Sequence, residues 1–407
     1  MMCRHCAADL DQGFLDLGFA PPSNAYLTPE QLRRPEITLP LRLFVCTRCW
    51  LVQTEDFAAP EDLFAADYAY FSSTSSSWLD HARHYAQMIT RRLALDGDSL
   101  VVEVASNDGY LLRNFVAAGI PCLGIEPTRD TAEAAERLGI PVLRAFFGRG
   151  LGERLAAEGR QADLIIGNNV YAHVSDINDF TAGLQAVLKP DGVITLEFPH
   201  LLRMIAGRQF DTAYHEHFSY LSLTTVARIF HSHGLRIWDV EELPTHGGSL
   251  RIYGCHAEDA RPEAESVGRM MATERAFGLF ERTTYAEFQA IADGIRNNLL
   301  GFLVDERRRS TRIAAYGAAA KGNTLLNFAG IRPNLLPYVV DAAESKQGKF
   351  LPGSHLPVVP PAALRERRPD IVLILPWNIA DEIVERHSYV RDWGGRFAVA
   401  VPEITFL

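Results

Sequence analysis

Residues 99–119 read SLVVEVASNDGYLLRNFVAAG. The first seven residues form an apolar run interrupted by a single carboxylate, Glu103, and a short run of this kind predicts a strand buried on both faces. A polar turn holding Gly109 follows, and apolar residues at helical spacing lead on to Gly119. Strand, turn and helix in that order predict one βα unit. PCLGIEP (121–127), PVLRAFF (141–147), ADLIIGNNV (162–170) and GVITLEFP (192–199) supply further strands, with a helix in DFTAGLQAVLKP before the last. Alternation of this kind predicts a parallel sheet covered by helices. Right-handed crossovers then place the loops after each strand on one edge, where ligands bind.

That edge collects polar residues. Glu103, Asn107, Gly109, Glu126 and Asn169 all fall at the carboxyl ends of strands or in the turns beyond them. The turn has one glycine rather than G-x-G-x-x-G, so it suits a ligand with no pyrophosphate there. Glu126, one strand later, stands where a carboxylate accepts ribose hydroxyls. A second series starts at TRIAAYG (311–317), continues through AAAKGNTLLNFAG and YVVDA (338–342), and ends in PDIVLILP (369–376). In it Gly317, Lys321 and Gly322 lie in a turn that opens a helix, a combination that favours an anion. Asp341 ends the next strand, where a dinucleotide site would carry its ribose acid, yet the glycine spacing argues against NAD. Residues 261–310, charged and periodic, read as long helices joining the two series.

The 407 residues predict two or three domains at about 150 residues each. Forty basic against fifty acidic residues, net −10, disfavour nucleic acid as a partner. No apolar run has the roughly 20 residues of a membrane span. The start, MMCRHCAADLDQ, lacks a basic segment followed by an apolar one, which predicts a cytoplasmic enzyme. Cys3 and Cys6 form one C-x-x-C knuckle and Cys46 and Cys49 another, 39 residues apart, out of six cysteines. Two knuckles predict a closed, structural four-cysteine zinc site with a short hairpin or loop between them. Disulfides are the rival pairing and belong to oxidising compartments. Cys122 and Cys255 lie in apolar strands and read as buried hydrophobes. Residues 1–62 carry five arginines, no lysine and nine acids, which is poor for a nucleic-acid-binding ribbon.

The densest polar cluster is Tyr214-His215-Glu216-His217, followed by Phe218-Ser219-Tyr220. On an extended segment His215 and His217 would share one face and Glu216 take the other. His81, His84, His231, His233 and His387 read as surface or helix residues.

The chain resembles, over its full length, the S-adenosylmethionine-dependent C-methyltransferases that modify nucleotide-linked deoxy-keto-sugars. The resemblance rests on the paired knuckles, YAYFSS (68–73), EVASNDGYLL (103–112), GIEP (124–127), GNNVYAHV (167–174), EFPHLL (197–202), FDTAYHEHFSYLSL (210–223), HGGSLRIY (246–253) and YGAAAKGNTLLN (316–327). It implies an α/β protein with a zinc-binding module (1–67), a class I methyltransferase Rossmann-like domain (68–290) and a second Rossmann-like domain (291–407). It implies cofactor contacts from Glu103, Ser106, Asn107, Gly109, Glu126, Pro127, Asn168 and Asn169. Contacts to a dTDP-4-keto-6-deoxy sugar would come from Gly317, Lys321, Asn323, Asp341 and Arg251, the last equally readable as a structural ion-pair residue. Methylation at carbon requires removal of a proton beside a ketone and donors to the enolate oxygen. The resemblance assigns the base to His217, places Glu216 near the substrate and makes Tyr214 a donor to the enolate. It sets Tyr68, His173 and Asn169 around the reacting carbon. Carbon 3 is the implied position. Carbon 5, which also flanks the ketone, and an NAD-dependent sugar-nucleotide oxidoreductase are the alternatives. Three domains that cover one another predict a monomer.

Overall fold

The computed structural model describes residues 1–57 and 71–407. Tyr68 lies outside the described residues.

Strands β1 (Gln12–Ala20), β2 (Leu39–Val45) and β3 (Val52–Thr54) follow one another in the amino-terminal segment. β1 and β2 are an antiparallel pair filling the gap between the two knuckles. After β3 the chain enters the helix Ser76–Leu93, whose first turn is capped by the Ser75 hydroxyl accepting from the Trp78 amide.

The αβ series follows as β4 (Val101–Val104), β5 (Cys122–Ile125), β6 (Val142–Leu143), β7 (Ala162–Asn168) and β8 (Leu188–Pro199). The strand expected at 141–147 is only two residues long. β4 and β5 are buried at every position, as a sheet covered on both faces requires. After β8 come the two-residue β9 (Ser219–Tyr220), then β10 (Leu235–Leu243) and β11 (Ser249–His256). The central sheet has the order β10-β11-β8-β7-β4-β5-β6, parallel except around β11, which is the class I methyltransferase architecture. Its order reverses at β4, so the crevice beyond β4, β5 and β7 is the topological ligand site.

β9 does not join this sheet. It pairs with β3, so the amino-terminal sheet is β1-β2-β3-β9, wholly antiparallel. The residues just after Tyr214–His217 are thereby built into the cysteine-bearing module. Helices Glu265–Phe277 and Phe288–Arg308 lead to a third sheet of β12 (Ile313–Tyr316), β13 (Val339–Val340), β14 (Val358–Val359), β15 (Ile371–Ile374), β16 (Arg396–Val399) and β17 (Thr405–Phe406). Its order is β14-β13-β12-β15-β16-β17, with only β17 antiparallel.

One core joins the first and third units. Phe14 of β1 stacks on Phe288 at 4.8 Å and meets Tyr285 edge-on at 5.4 Å, and the same cluster includes Leu41, Leu43, Leu299 and Leu325. Each such side chain contributes about 1.5–3 kcal/mol by leaving water. The amino-terminal module is therefore held by apolar packing as well as by its cysteines.

Candidate active site

The four sulfur atoms of Cys3, Cys6, Cys46 and Cys49 lie within 4.8 Å of one another. Cys3 Sγ is 3.5 Å from Cys49 Sγ, and Cys6 Sγ is 3.5 Å from Cys46 Sγ. These separations fit four thiolates around one tetrahedral zinc with bonds of about 2.3 Å, and all six cysteines are free of disulfides. His5 turns away, its Nδ1 2.9 Å from Asn178 Oδ1. Cys122 and Cys255 are buried.

At the edge of the central sheet the chain brings Glu103, Ser106, Asn107, Gly109, Glu126, Asn168 and Asn169 together. Gly109 has φ +77°, and a Cβ there would come within 2.4 Å of Ile140 Cδ1, so the turn accepts no larger residue without movement. Glu126 Oε2 accepts the Asn107 amide at 2.9 Å, and Oε1 accepts the Thr128 amide at 2.9 Å. Pro127 lies between Glu126 and Thr128. Ser72 and Ser73 close over the turn, their amides donating to Asn107 Oδ1 and Asp108 Oδ2 at 3.0 Å each.

Among the described residues, Glu103 Oε2, Ser106 Oγ, Asp108 Oδ1, both amide atoms of Asn168 and Asn169 Oδ1 are buried without a hydrogen-bond partner. Buried polar atoms are seldom left so, and their clustering marks the crevice as a ligand site. Burial, with Asp108 and Glu126 nearby, raises the Glu103 carboxyl well above its usual range. A crevice with three acids repels phosphates and favours a ligand carrying positive charge and hydroxyls, which S-adenosylmethionine is.

Beyond the crevice, residues 214–217 form a turn rather than the extended segment expected, closed by the His217 amide donating to the Tyr214 carbonyl at 3.0 Å. The two histidines consequently diverge. His215 Nε2 reaches the Pro40 carbonyl at 3.2 Å. His217 Nδ1 donates to the Thr212 carbonyl at 3.0 Å, so the lone pair lies on Nε2, where it accepts from the Tyr214 hydroxyl at 2.7 Å. Burial, reinforced by His173, holds His217 neutral well below the ordinary value of 6.5. The His173 ring lies 4.6 Å from that of His217, its Nδ1 donating to the Glu216 carbonyl at 2.6 Å. The Glu216 carboxylate faces the amino-terminal module, accepting from Ser23 Oγ at 2.9 Å and from Asn24 Nδ2 at 3.1 Å.

His246, at the head of HGGSLRIY, was not among the site residues expected from the sequence. It has φ +55°, and its Nε2 accepts from Asn169 Nδ2 at 3.2 Å. Its neighbours Gly247 and Gly248 are approached by Trp377 and Arg203 side chains. From the third unit Lys321 reaches the same place, donating to Asn378 Oδ1 at 2.9 Å with its ammonium 4.3 Å over the Trp377 ring. Burial lowers its pKa to about 8, partly offset by Asp211. Asn323 donates to the Ser23 carbonyl at 2.5 Å. Asp341 accepts the amides of Ala318, next to Gly317, and of Ala343 at 2.7 and 2.8 Å, so two loops already occupy it.

Arg251 lies apart from Lys321, in β11. Its guanidinium is 3.0 Å from Glu197 and 3.2 Å from Glu241 and stacks on Tyr85 at 4.5 Å. His81, half-buried on the helix Ser76–Leu93, joins this network at 2.9 Å from Glu197, and His387, expected at the surface or in a helix, is buried and bonded to Tyr316 and Tyr389. Removing one partner of a buried pair costs about 3–5 kcal/mol. Arg251→Met is accordingly expected to lower unfolding free energy by about that amount in a denaturant titration, with KM for substrate within about twofold. A normal titration with KM raised tenfold or more would instead make Arg251 a substrate contact.

Three known families match successive stretches of the chain. A zinc binding domain matches residues 3–64, a methyltransferase domain residues 78–240, and a C-methyltransferase C-terminal domain residues 244–402. The C-methyltransferase NovU of Streptomyces niveus is 35% identical over 98% of this chain and 95% of its own. An uncharacterised methyltransferase of Mycobacterium leprae is 26% identical over 31% of this chain and 52% of its own. Magnesium protoporphyrin IX methyltransferase of Synechocystis, solved with its cofactor, aligns with TM-score 0.33 and 15% identity over 44% of this chain and 81% of that one. With a relative this similar from end to end, the chain belongs to the S-adenosylmethionine-dependent C-methyltransferases that carry an amino-terminal zinc-binding domain.

Proposed function

We propose that the enzyme methylates carbon 3, beside the ketone of a dTDP-4-keto-6-deoxy sugar, after His217 removes its proton. The observation that carries this is the fixed tautomer of His217: with Nδ1–H held by Thr212, Nε2 is the basic atom, and it faces a phenol. S-adenosylmethionine, when bound, supplies an electrophilic methyl group. Everything else falls to the chain. His217 takes the proton, and Tyr214 turns its hydroxyl to the enolate oxygen. The imidazolium so formed stands beside the enolate in a water-poor site, where their attraction is strong. His173 and Asn169 line the reacting carbon. Lys321, at the start of the helix Ala320–Phe328, suits a sugar diphosphate. We assign the division of labour to 1–67, 68–290 and 291–407, and read the enzyme as a cytoplasmic monomer acting on a small molecule. No helix among the described residues is long and apolar enough to cross a membrane.

The test is proton exchange. With the sugar nucleotide and S-adenosylhomocysteine in heavy water, loss of the carbon 3 proton signal is expected. Loss at carbon 5 would move the assignment there, and no exchange with any 4-keto sugar would refute the enolate. For the cofactor, Glu126→Gln removes a charge-assisted acceptor worth about 1.5–3 kcal/mol. S-adenosylhomocysteine should bind roughly 10–150-fold more weakly by calorimetry; an unchanged Kd would remove Glu126 from the ribose site.

A further inference from the structure

Arg4 lies between the first two zinc cysteines, and its side chain is 4% exposed. Buried arginines are rare unless paired, and most of this one's bonds go to backbone carbonyls. Nη1 donates to the Ser175 carbonyl at 2.7 Å. Nη2 donates to the Thr54 carbonyl at 3.1 Å and to Asp56 Oδ1 at 2.8 Å, the latter at the solvent rim. The guanidinium also sits 5.4 Å over the Phe218 ring.

These partners belong to two different segments around the active site. Ser175 is two residues beyond His173 and just before the helix Ile177–Val187. Phe218 adjoins His217, whose carbonyl accepts from Thr54 Oγ1 at 3.3 Å. Asn178 locks the same knuckle from the other side, donating to the Arg4 and His5 carbonyls at 3.2 and 2.9 Å. The planar guanidinium spans both segments with fixed geometry, which an ammonium cannot do.

We propose that Arg4 is a positioning residue that braces the His173 loop against the strand following His217, so that the zinc knuckle holds the spacing of the two catalytic imidazoles. The inference rests on His217 being the base. It gives the zinc module a part in catalysis beyond stabilising the fold, and it sets Arg4 apart from Asp56, whose carboxylate touches only the exposed end of the guanidinium.

The experiment compares full-length Arg4→Met, Arg4→Lys and Asp56→Asn proteins, each first shown to hold one equivalent of zinc. Ring nitrogen signals of His173 and His217 are read by NMR without substrate, and solvent exchange at the sugar is read separately. A misplacement near 1 Å costs about 10²-fold. Arg4→Met should displace both sets of ring signals and lower kcat for exchange about 30- to 100-fold with KM little changed. Arg4→Lys, able to reach one carbonyl, should recover part of this, and Asp56→Asn should match the parent. Unmoved ring signals in Arg4→Met overturn the inference whatever the activity. Displaced signals with undiminished exchange overturn the base assignment beneath it, and with it any claim of Arg4 on catalysis.

Discussion

Replacing His217 by alanine is expected to slow proton exchange beside the ketone, and methyl transfer with it, by about 10³-fold. The magnitude follows from what is lost. Nε2 of His217 is the atom that the Thr212 carbonyl keeps unprotonated and to which the Tyr214 hydroxyl donates. His215 faces the amino-terminal sheet, and His173, whose Nδ1 is likewise held by a carbonyl, stands on its own loop with its ring 4.6 Å from that of His217, so neither takes the place of Nε2 without moving. Binding of cofactor and sugar nucleotide should change less than about threefold, because a neutral imidazole adds little to the ground state. Exchange in the variant within tenfold of the parent would mean that His217 orients the substrate and another group is the base.

The pH profile has a defined sign. A histidine with a depressed pKa is in its accepting form above that value, so the acid limb of kcat should lie below 6.5, the ordinary histidine value. Stability changes in the same direction. His173, His215, His217 and His246 are all lowered, chiefly by burial, His246 to about 4. At these four positions the unfolded chain binds more protons than the native one from about 6.5 downwards, and their contribution to stability is lost as pH falls through that window, opposed by Glu103 and Asp211, whose carboxyls burial raises. Circular dichroism at each pH separates unfolding from titration of the base.

Much of this was legible in the sequence, for identifiable reasons. Strands as apolar as VVEV and ADLIIGN, buried at all or nearly all positions, announce themselves by composition alone, and so do two C-x-x-C pairs. Glu126 was placed because crossover handedness fixes which strand ends share an edge. What escaped depended on contacts distant in sequence. No local pattern tells that Ser219–Tyr220 pairs with Val52–Gln53, and this pairing turns the HEH segment from a strand into a turn. His246 was hidden because its value lies in meeting Asn169, 77 residues away. His81 and Arg251 share Glu197 across 116 and 54 residues, a buried network that sequence spacing does not reveal.

Loss of the zinc site should be the most damaging single change outside the catalytic cluster. Cys46→Ser leaves three thiolates, and structural zinc contributes apparent binding free energies of about 10–16 kcal/mol in small zinc domains. Here part of that energy is supplemented by apolar packing, since Phe14, Leu41 and Leu43 sit in a core shared with the helix Phe288–Arg308. The strands β1 and β2 should accordingly stay docked, whereas the knuckles themselves, with Arg4 and the start of β3, should loosen. β3 is three residues long and begins three residues after Cys49, so it has little to hold it once the metal is gone. Its loss frees β9 and the His217 strand together. The expected result is a protein with no bound zinc, faster hydrogen exchange at Val52–Thr54 and Ser219–Tyr220, and methyl transfer reduced by about 10²-fold or more. S-adenosylhomocysteine affinity should fall far less, because Glu126 and its neighbours stand on the central sheet, whose strands stay paired although Cys3, Cys46 and Cys49 pack against its core. Equal loss of cofactor binding would show that the whole chain unfolds as one unit with the metal, and full activity without zinc would make the module dispensable to the chemistry.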